Sequence, residues 1–142
     1  TLVMPAIVAE RMMMLLQTTS SCVSPFIQRA GIEAIKGPQI KVENMMAEYR
    51  ARRDILVSGL NSIPGIQCHT PGGAFYAFPN ISSFGVSSSD FSDYVLENAD
   101  IALLPGSCFG SQGEGFIRLV YASSRENIEE AISRLRFACS KL

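Results

Sequence analysis

The sequence predicts an α+β fold: a small antiparallel or mixed sheet packed on helices, preceded by a helical arm. Three observations lead there. Residues 6–62 hold three helical patterns and no strand pattern between them. From residue 66 onward, short β-like runs alternate with two further helices in the order β-β-α-β-β-α. And 47% of the 142 residues are hydrophobic against 18% charged, enough apolar material for a folded core in one ordinary domain length.

Taken in order, "TLVMP" reads as a strand end stopped by Pro5, and residues 6–17 as a helix with Ile7, Met13 and Met14 among its apolar positions. "TTSSCVS" is polar and β-branched, an irregular link. Ser24 before Pro25 is a helix start, a hydroxyl cap followed by proline at the first helical position, and "PFIQRAGIEAIK" runs from it to Gly37-Pro38. Residues 39–62 carry apolar side chains at Val42, Met45, Met46, Tyr49, Leu56 and Leu60, the three-and-four spacing of an amphipathic helix. At ~1.5 Å per residue it extends to about 35 Å, longer than a small domain needs, as in a helix that links two bodies. Arg50, Arg52 and Arg53 form its wet side. Beyond Pro64-Gly65, "IQCHT" is β-like, "PGG" a turn, and "AFYAFPN" a strand closed by proline. "SSSDFSDYVLENA" reads as a helix capped by Ser88 or Ser89, with Asp90 and Asp93 near its positive end. "IALLP" and "FIRLVYA" are strands around the glycine-rich loop "GSCFGSQGEG", and Ser123 or Ser124 caps a last helix burying Ile128, Ala131, Ile132, Leu135 and Ala138. A soft boundary at Gly37-Pro38 separates residues 1–37, a helical arm, from 38–142, a long helix plus a compact α+β unit.

Composition excludes several functions. The net charge is −1 and Lys and Arg gather into no stripe, so no nucleic-acid partner is expected. No apolar run reaches the roughly 18 residues of a membrane span, "LVMPAIVAERMMMLL" being cut by Pro5, Glu10 and Arg11, and that stretch lacks the basic start and cleavage site of a signal peptide. Cys22, Cys68, Cys108 and Cys139 form no CxxC pair and His69 is the only histidine, so no metal site is expected, and free thiols fit a reducing, cytoplasmic setting. A start at Thr1 rather than Met hints at a trimmed chain.

Most candidate chemistry has an ordinary explanation. "PGSCFGSQGEG" lacks the GxxxxGK[ST] and GxGxxG patterns, so its glycines form turns. Cys108 and His69 could make a thiol–imidazole pair, but nothing beyond residue type places them together. Asp90 and Asp93 are accounted for by the helix dipole, and "RMMMLLQ" by core or interface packing. Arg118 is different, lying within "FIRLVYA". Alternation puts Phe116, Arg118 and Val120 on one strand face, and Ile117, Leu119 and Tyr121 on the other. A guanidinium among apolar neighbours needs a planar acceptor, and a carboxylate matches its fork. On composition alone an internal salt bridge is the default; an open face or a carboxylate supplied from outside are the alternatives.

"PGGAFYAFPN" followed by "LLPGSCFGSQGEGFIRLVYASSRENIEEAISRL" resembles the C-terminal part of the class I/II aminotransferases, fold-type I enzymes that use pyridoxal phosphate. "SPFIQRAGIEAIKGPQ" and "MMAEYRARRDILVSGLNSIPGI" resemble the same family in the same order, so the resemblance covers nearly the whole chain. It implies that Arg118 binds the substrate's α-carboxylate and that Phe75 lies beside it. It implies that "TTSSCVS" approaches a partner subunit's active site in a homodimer. The reaction implied is transamination between an amino acid and a 2-oxo acid. A Schiff-base lysine is also implied, but Lys36, Lys41 and Lys141 lack the family's Ser-x-x-Lys context. That lysine, and the residues that hold the cofactor's ring and phosphate, are expected upstream of Thr1. Residues 1–37 then correspond to the tail of the large cofactor-binding domain, and 38–142 to the linking helix plus the small domain. No catalytic, cofactor-binding or metal-ligating residue is expected within the chain, which by itself should be inactive and bind no pyridoxal phosphate. Two alternatives stay open: a β-elimination lyase of the same fold, and the non-catalytic aminotransferase-like ligand-binding module of a transcription regulator.

Overall fold

A computed structural model describes residues 3–20 and 22–142. The chain divides into two compact units, Thr1–Ile40 and Lys41–Leu142.

The first unit consists of helices α1 (Ala6–Thr19) and α2 (Pro25–Lys36). Pro5 and Pro25 start them, where a missing N–H costs no hydrogen bond. The Ser24 side chain, expected to cap α2, makes no capping bond, and its Oγ is buried with no partner among the described residues. The "RMMMLLQ" run belongs to α1, which continues through Thr18 and Thr19, and both hydroxyls bond back to the Leu15 carbonyl. Neither helix buries a residue; Ile7, Met13, Leu15, Phe26 and Ile35 are all exposed. Of the strand end expected at residues 1–5, Thr1 and Leu2 lie outside the described residues, and residues 3–5 are irregular. Ser21 of the link also lies outside them.

The second unit is α+β. Its elements are α3 (Ile40–Asn61), β1 (Tyr76–Ala77), α4 (Ser88–Ala99), β2 (Leu104–Pro105), β3 (Ile117–Val120) and α5 (Arg125–Cys139). The sheet is antiparallel throughout, in the order β1-β3-β2, with Tyr76 opposite Val120 and Leu104 opposite Arg118. The strands are shorter than the sequence suggests. "IQCHT" contributes a single bridge, Gln67 to Asn80, because Asn61 takes the next backbone group: its side chain bonds both the N–H and the carbonyl of Cys68. α4 is capped by Ser87, whose Oγ accepts from Asp90 N–H, one residue before the expected position. Ser124 caps α5 in the same way.

One apolar core joins these elements: Leu56, Val57 and Leu60 of α3, Phe91 and Val95 of α4, Ile117 and Leu119 of β3, and Ile128, Ile132 and Leu135 of α5. α3 and α5 approach closely at Gly59, where a Cβ would stand 2.3 Å from Ile132 Cδ1. The apolar residues in the N-terminal half of α3, Val42, Met45 and Met46, are exposed. β3 is therefore the middle strand, with one face sealed on the core.

Candidate functional site

On β3, Ile117 and Leu119 point into the core, so Arg118 projects from the other face and Val120 beside it is exposed. The core face is dry and the Arg118 face is open. What surrounds the guanidinium is aromatic. Its Cζ lies 4.6 Å from the centroid of the Tyr76 ring and 4.4 Å from that of Phe109. Phe109 meets Phe78 edge to face, and Phe78 stacks on Phe116 at 5.3 Å between centroids. Cation–π contacts of this kind contribute about 0.5–2 kcal/mol each, rising as water is excluded.

Among the described residues Arg118 makes no ion pair, and its buried Nε has no hydrogen-bond partner. The internal salt bridge that composition alone would favour is absent there. The acids in ion pairs are occupied by other arginines: Glu48 by Arg52 and Arg125, Glu130 and Asp100 by Arg134, and Asp54 by Arg53. Arg118 also lines a cleft of about 380 Å³ with Leu56, Leu104, Val120 and Asn127.

Two elements bring the rings to the arginine. Tyr76 sits on β1 beside β3. The turn before β1 is held by Tyr121, whose hydroxyl donates to the Ala74 carbonyl at 2.9 Å and whose N–H donates to the Phe75 carbonyl. Burial pushes the Tyr121 hydroxyl above its ordinary pKa, so it stays a donor. Ala74 has φ 58°, left-handed for a residue with a side chain, a local cost of roughly 1–2 kcal/mol.

Phe109 is carried by the glycine-rich loop, which forms two 3₁₀ turns, Gly106–Phe109 and Ser111–Gly113. Gly106 and Gly113 cross backbone on backbone: a Cβ on either would lie 2.0 Å from the other's carbonyl oxygen. Glu114 ties the loop to α4 by accepting Ser88 N–H at 2.7 Å and Ser88 Oγ–H at 2.9 Å, and these bonds hold its carboxyl below the usual range.

Phe75 packs on Tyr76 at 4.6 Å with the rings tilted by 43°, and stacks on Tyr49 at 6.3 Å. It lines a separate groove of about 450 Å³ with Arg53, Pro71 and Tyr121. The sequence reading named Phe75 and missed Tyr76 and Phe109. "FYAF" was open to either neighbour, since register alone decides which ring faces β3, and Phe109 depends on how the loop folds back. Cys108 and His69 are both exposed, and no group of metal-ligating side chains gathers among the described residues.

Comparison with known proteins gives a consistent result. The family model described as aminotransferase class I and II matches residues 1–135. The chain is 47% identical over 118 residues to an aspartate aminotransferase of Pyrococcus horikoshii, covering 82% of this chain and 30% of that protein. It is 38% identical over 133 residues to an aromatic-amino-acid aminotransferase of Thermococcus litoralis, covering 92% and 34%. Among solved structures, an aromatic aminotransferase from Pyrococcus horikoshii superposes with a TM-score of 0.85 at 37% identity, over 96% of this chain and 37% of that one. The aspartate aminotransferase of Rhizobium meliloti gives 0.85 at 34% identity, over 97% and 36%. The chain spans about a third of the length of the curated relatives it matches.

The lysines test whether these residues fit pyridoxal phosphate. Lys36 ends α2, Lys41 lies in the first turn of α3, and Lys141 follows α5 with its Nζ 4.0 Å from the Phe137 ring. All three are exposed, and neither Lys41 nor Lys141, in the unit that holds Arg118, lines its cleft. The residues of this chain do not, by themselves, fit the cofactor.

Proposed function

This chain belongs to the class I and II aminotransferases, and on that footing we propose that it supplies the carboxylate grip of a pyridoxal phosphate-dependent transaminase acting on an amino acid and a 2-oxo acid. Arg118 is the residue that binds the substrate's α-carboxylate. One observation carries this reading: a half-buried guanidinium faced by two rings, with no acid paired to it among the described residues. An arginine so placed lacks the acceptor that desolvation demands, and a planar carboxylate meets that need with two parallel N–H···O bonds. Orientation is the catalytic contribution, since a substrate held at its carboxylate has its Cα fixed in place. Phe78, Phe109 and Phe116 limit water at the grip. Phe75, one ring further on, shapes the wall beside Tyr76.

We assign residues 1–37 to the tail of a large cofactor-binding domain and 38–142 to a linking helix plus small domain. The Schiff-base lysine then belongs to a part of the protein beyond these 142 residues, and the chain alone is inactive. The exposed apolar side chains of α1 and α2 favour a working unit that covers them, as a homodimer of the whole protein does. Four cysteines without metal-binding spacing favour a reducing, cytoplasmic setting.

Arg118→Ala in the full-length protein tests the grip. A charged hydrogen-bonded pair is worth ~1.5–3 kcal/mol, so affinity for amino acid and 2-oxo acid should fall about 10- to 100-fold while the cofactor's absorbance is retained. Unchanged kinetics with both substrates would contradict the assignment.

A further inference from the structure

We propose that Phe109 is a positioning residue that fixes the plane of the Arg118 guanidinium for an incoming carboxylate. The inference rests on the reading of Arg118 as the carboxylate grip and concerns how that grip is kept ready. An arginine side chain turns about several bonds, and two parallel hydrogen bonds form only when its plane faces the acceptor. Among the described residues no hydrogen bond or ion pair from the side chain sets that plane. What remains is the pair of rings at 4.6 and 4.4 Å. They come from opposite sides: Tyr76 from β1, and Phe109 from the turn after β2, the two strands that flank β3. Tyr76 is held by the sheet, whereas Phe109 is placed by its loop and by its edge-to-face contact with Phe78.

That loop is built to hold one shape. Gly106 N–H donates to the Phe116 carbonyl at 2.8 Å, the Gly106–Gly113 crossing admits no side chain, and the Glu114 carboxylate fastens the far end to Ser88. A ring that is 48% exposed adds little to the core, so its position serves the arginine rather than the fold.

The test uses the full-length protein and 3-phenylpropanoate, a carboxylate with no amino group and so no reaction at the cofactor, titrated by calorimetry. Phe109→Leu should weaken binding of this probe by about tenfold, and raise KM for amino acid and 2-oxo acid more than it lowers kcat. Phe109→Tyr, which keeps the ring, should restore both to within about twofold. Should Phe109→Leu melt early, Phe109→Met, which keeps apolar bulk without a π face, decides in its place. Probe affinity within twofold of the parent in the ring-free variant overturns the proposal. So does a loss that Phe109→Tyr fails to repair. Arg118→Gln separates the two levels: if it collapses probe binding while Phe109→Leu does not, only the positioning role fails; if it leaves probe binding intact, the grip itself fails and the positioning role with it.

Discussion

Arg118 is held by rings and not by acids, and this difference decides what it can do. Paired with an internal carboxylate, it would be a structural bridge; faced by Tyr76 and Phe109, it keeps its charge and its donors for something else. The strand alternation that puts Arg118 opposite the core is legible in "FIRLVYA", because Ile117, Leu119 and Tyr121 repeat at every second position and are all buried. The identity of its neighbours is not legible, because Phe109 reaches it through a loop whose path depends on Gly106 meeting Gly113. Nor does composition show which acids other arginines engage, since Glu48 finds Arg125 only once α3 and α5 pack. The cysteines follow their surroundings. Burial pushes the Cys139 thiol up to about 11, so it stays protonated near neutral pH and packs as a small apolar group.

Helix ends were written in the sequence where a proline or serine marks them: α2 begins at Pro25 and α5 behind Ser124. Strand lengths were not, since β1 and β2 are two residues each, shorter than the β-like runs that contain them. Asn61 reads as a helix-end polar residue, and its two bonds to Cys68 appear only in three dimensions. At this scale Glu48 fastens α3 to α5, accepting from Arg125 Nε at 3.1 Å, and from Arg52 within its own helix. The two guanidinium groups lower its pKa from 4.5 to about 2. A depressed folded pKa means that the bond's contribution to stability is complete above pH 4.5 and disappears as pH falls toward about 2. Urea unfolding across that window should show a loss of stability that Glu48→Gln does not share. Parallel pH profiles for the two proteins would mean that the fastening carries no net stability.

The whole molecule is two units, one with a core of its own and one whose helices bury nothing. Among the described residues no helix is long and apolar enough to cross a membrane. The order of motifs was enough to identify the family from sequence, because "PGGAFYAFPN", the glycine-rich loop and "FIRLVYA" succeed one another at fixed spacing. Side-chain specificity was not legible, since the grip proposed at Arg118 concerns a carboxylate alone and carries no marker of a substrate's other end. With Lys36, Lys41 and Lys141 all exposed and none in the family's Ser-x-x-Lys context, the 142-residue chain mixed with pyridoxal phosphate and borohydride should yield no stoichiometric adduct at a single lysine. One such adduct would refute the placement of the Schiff-base lysine elsewhere. The proposed grip has a sharper test, because Arg118 would read one group of the substrate only. In the full-length protein, affinity is measured for an amino acid and for the amine left when its carboxylate is removed, before and after Arg118→Gln. The substitution should weaken the amino acid about 10- to 100-fold, leave the amine within about twofold, and so erase the preference between them. A preference that survives the substitution would contradict it.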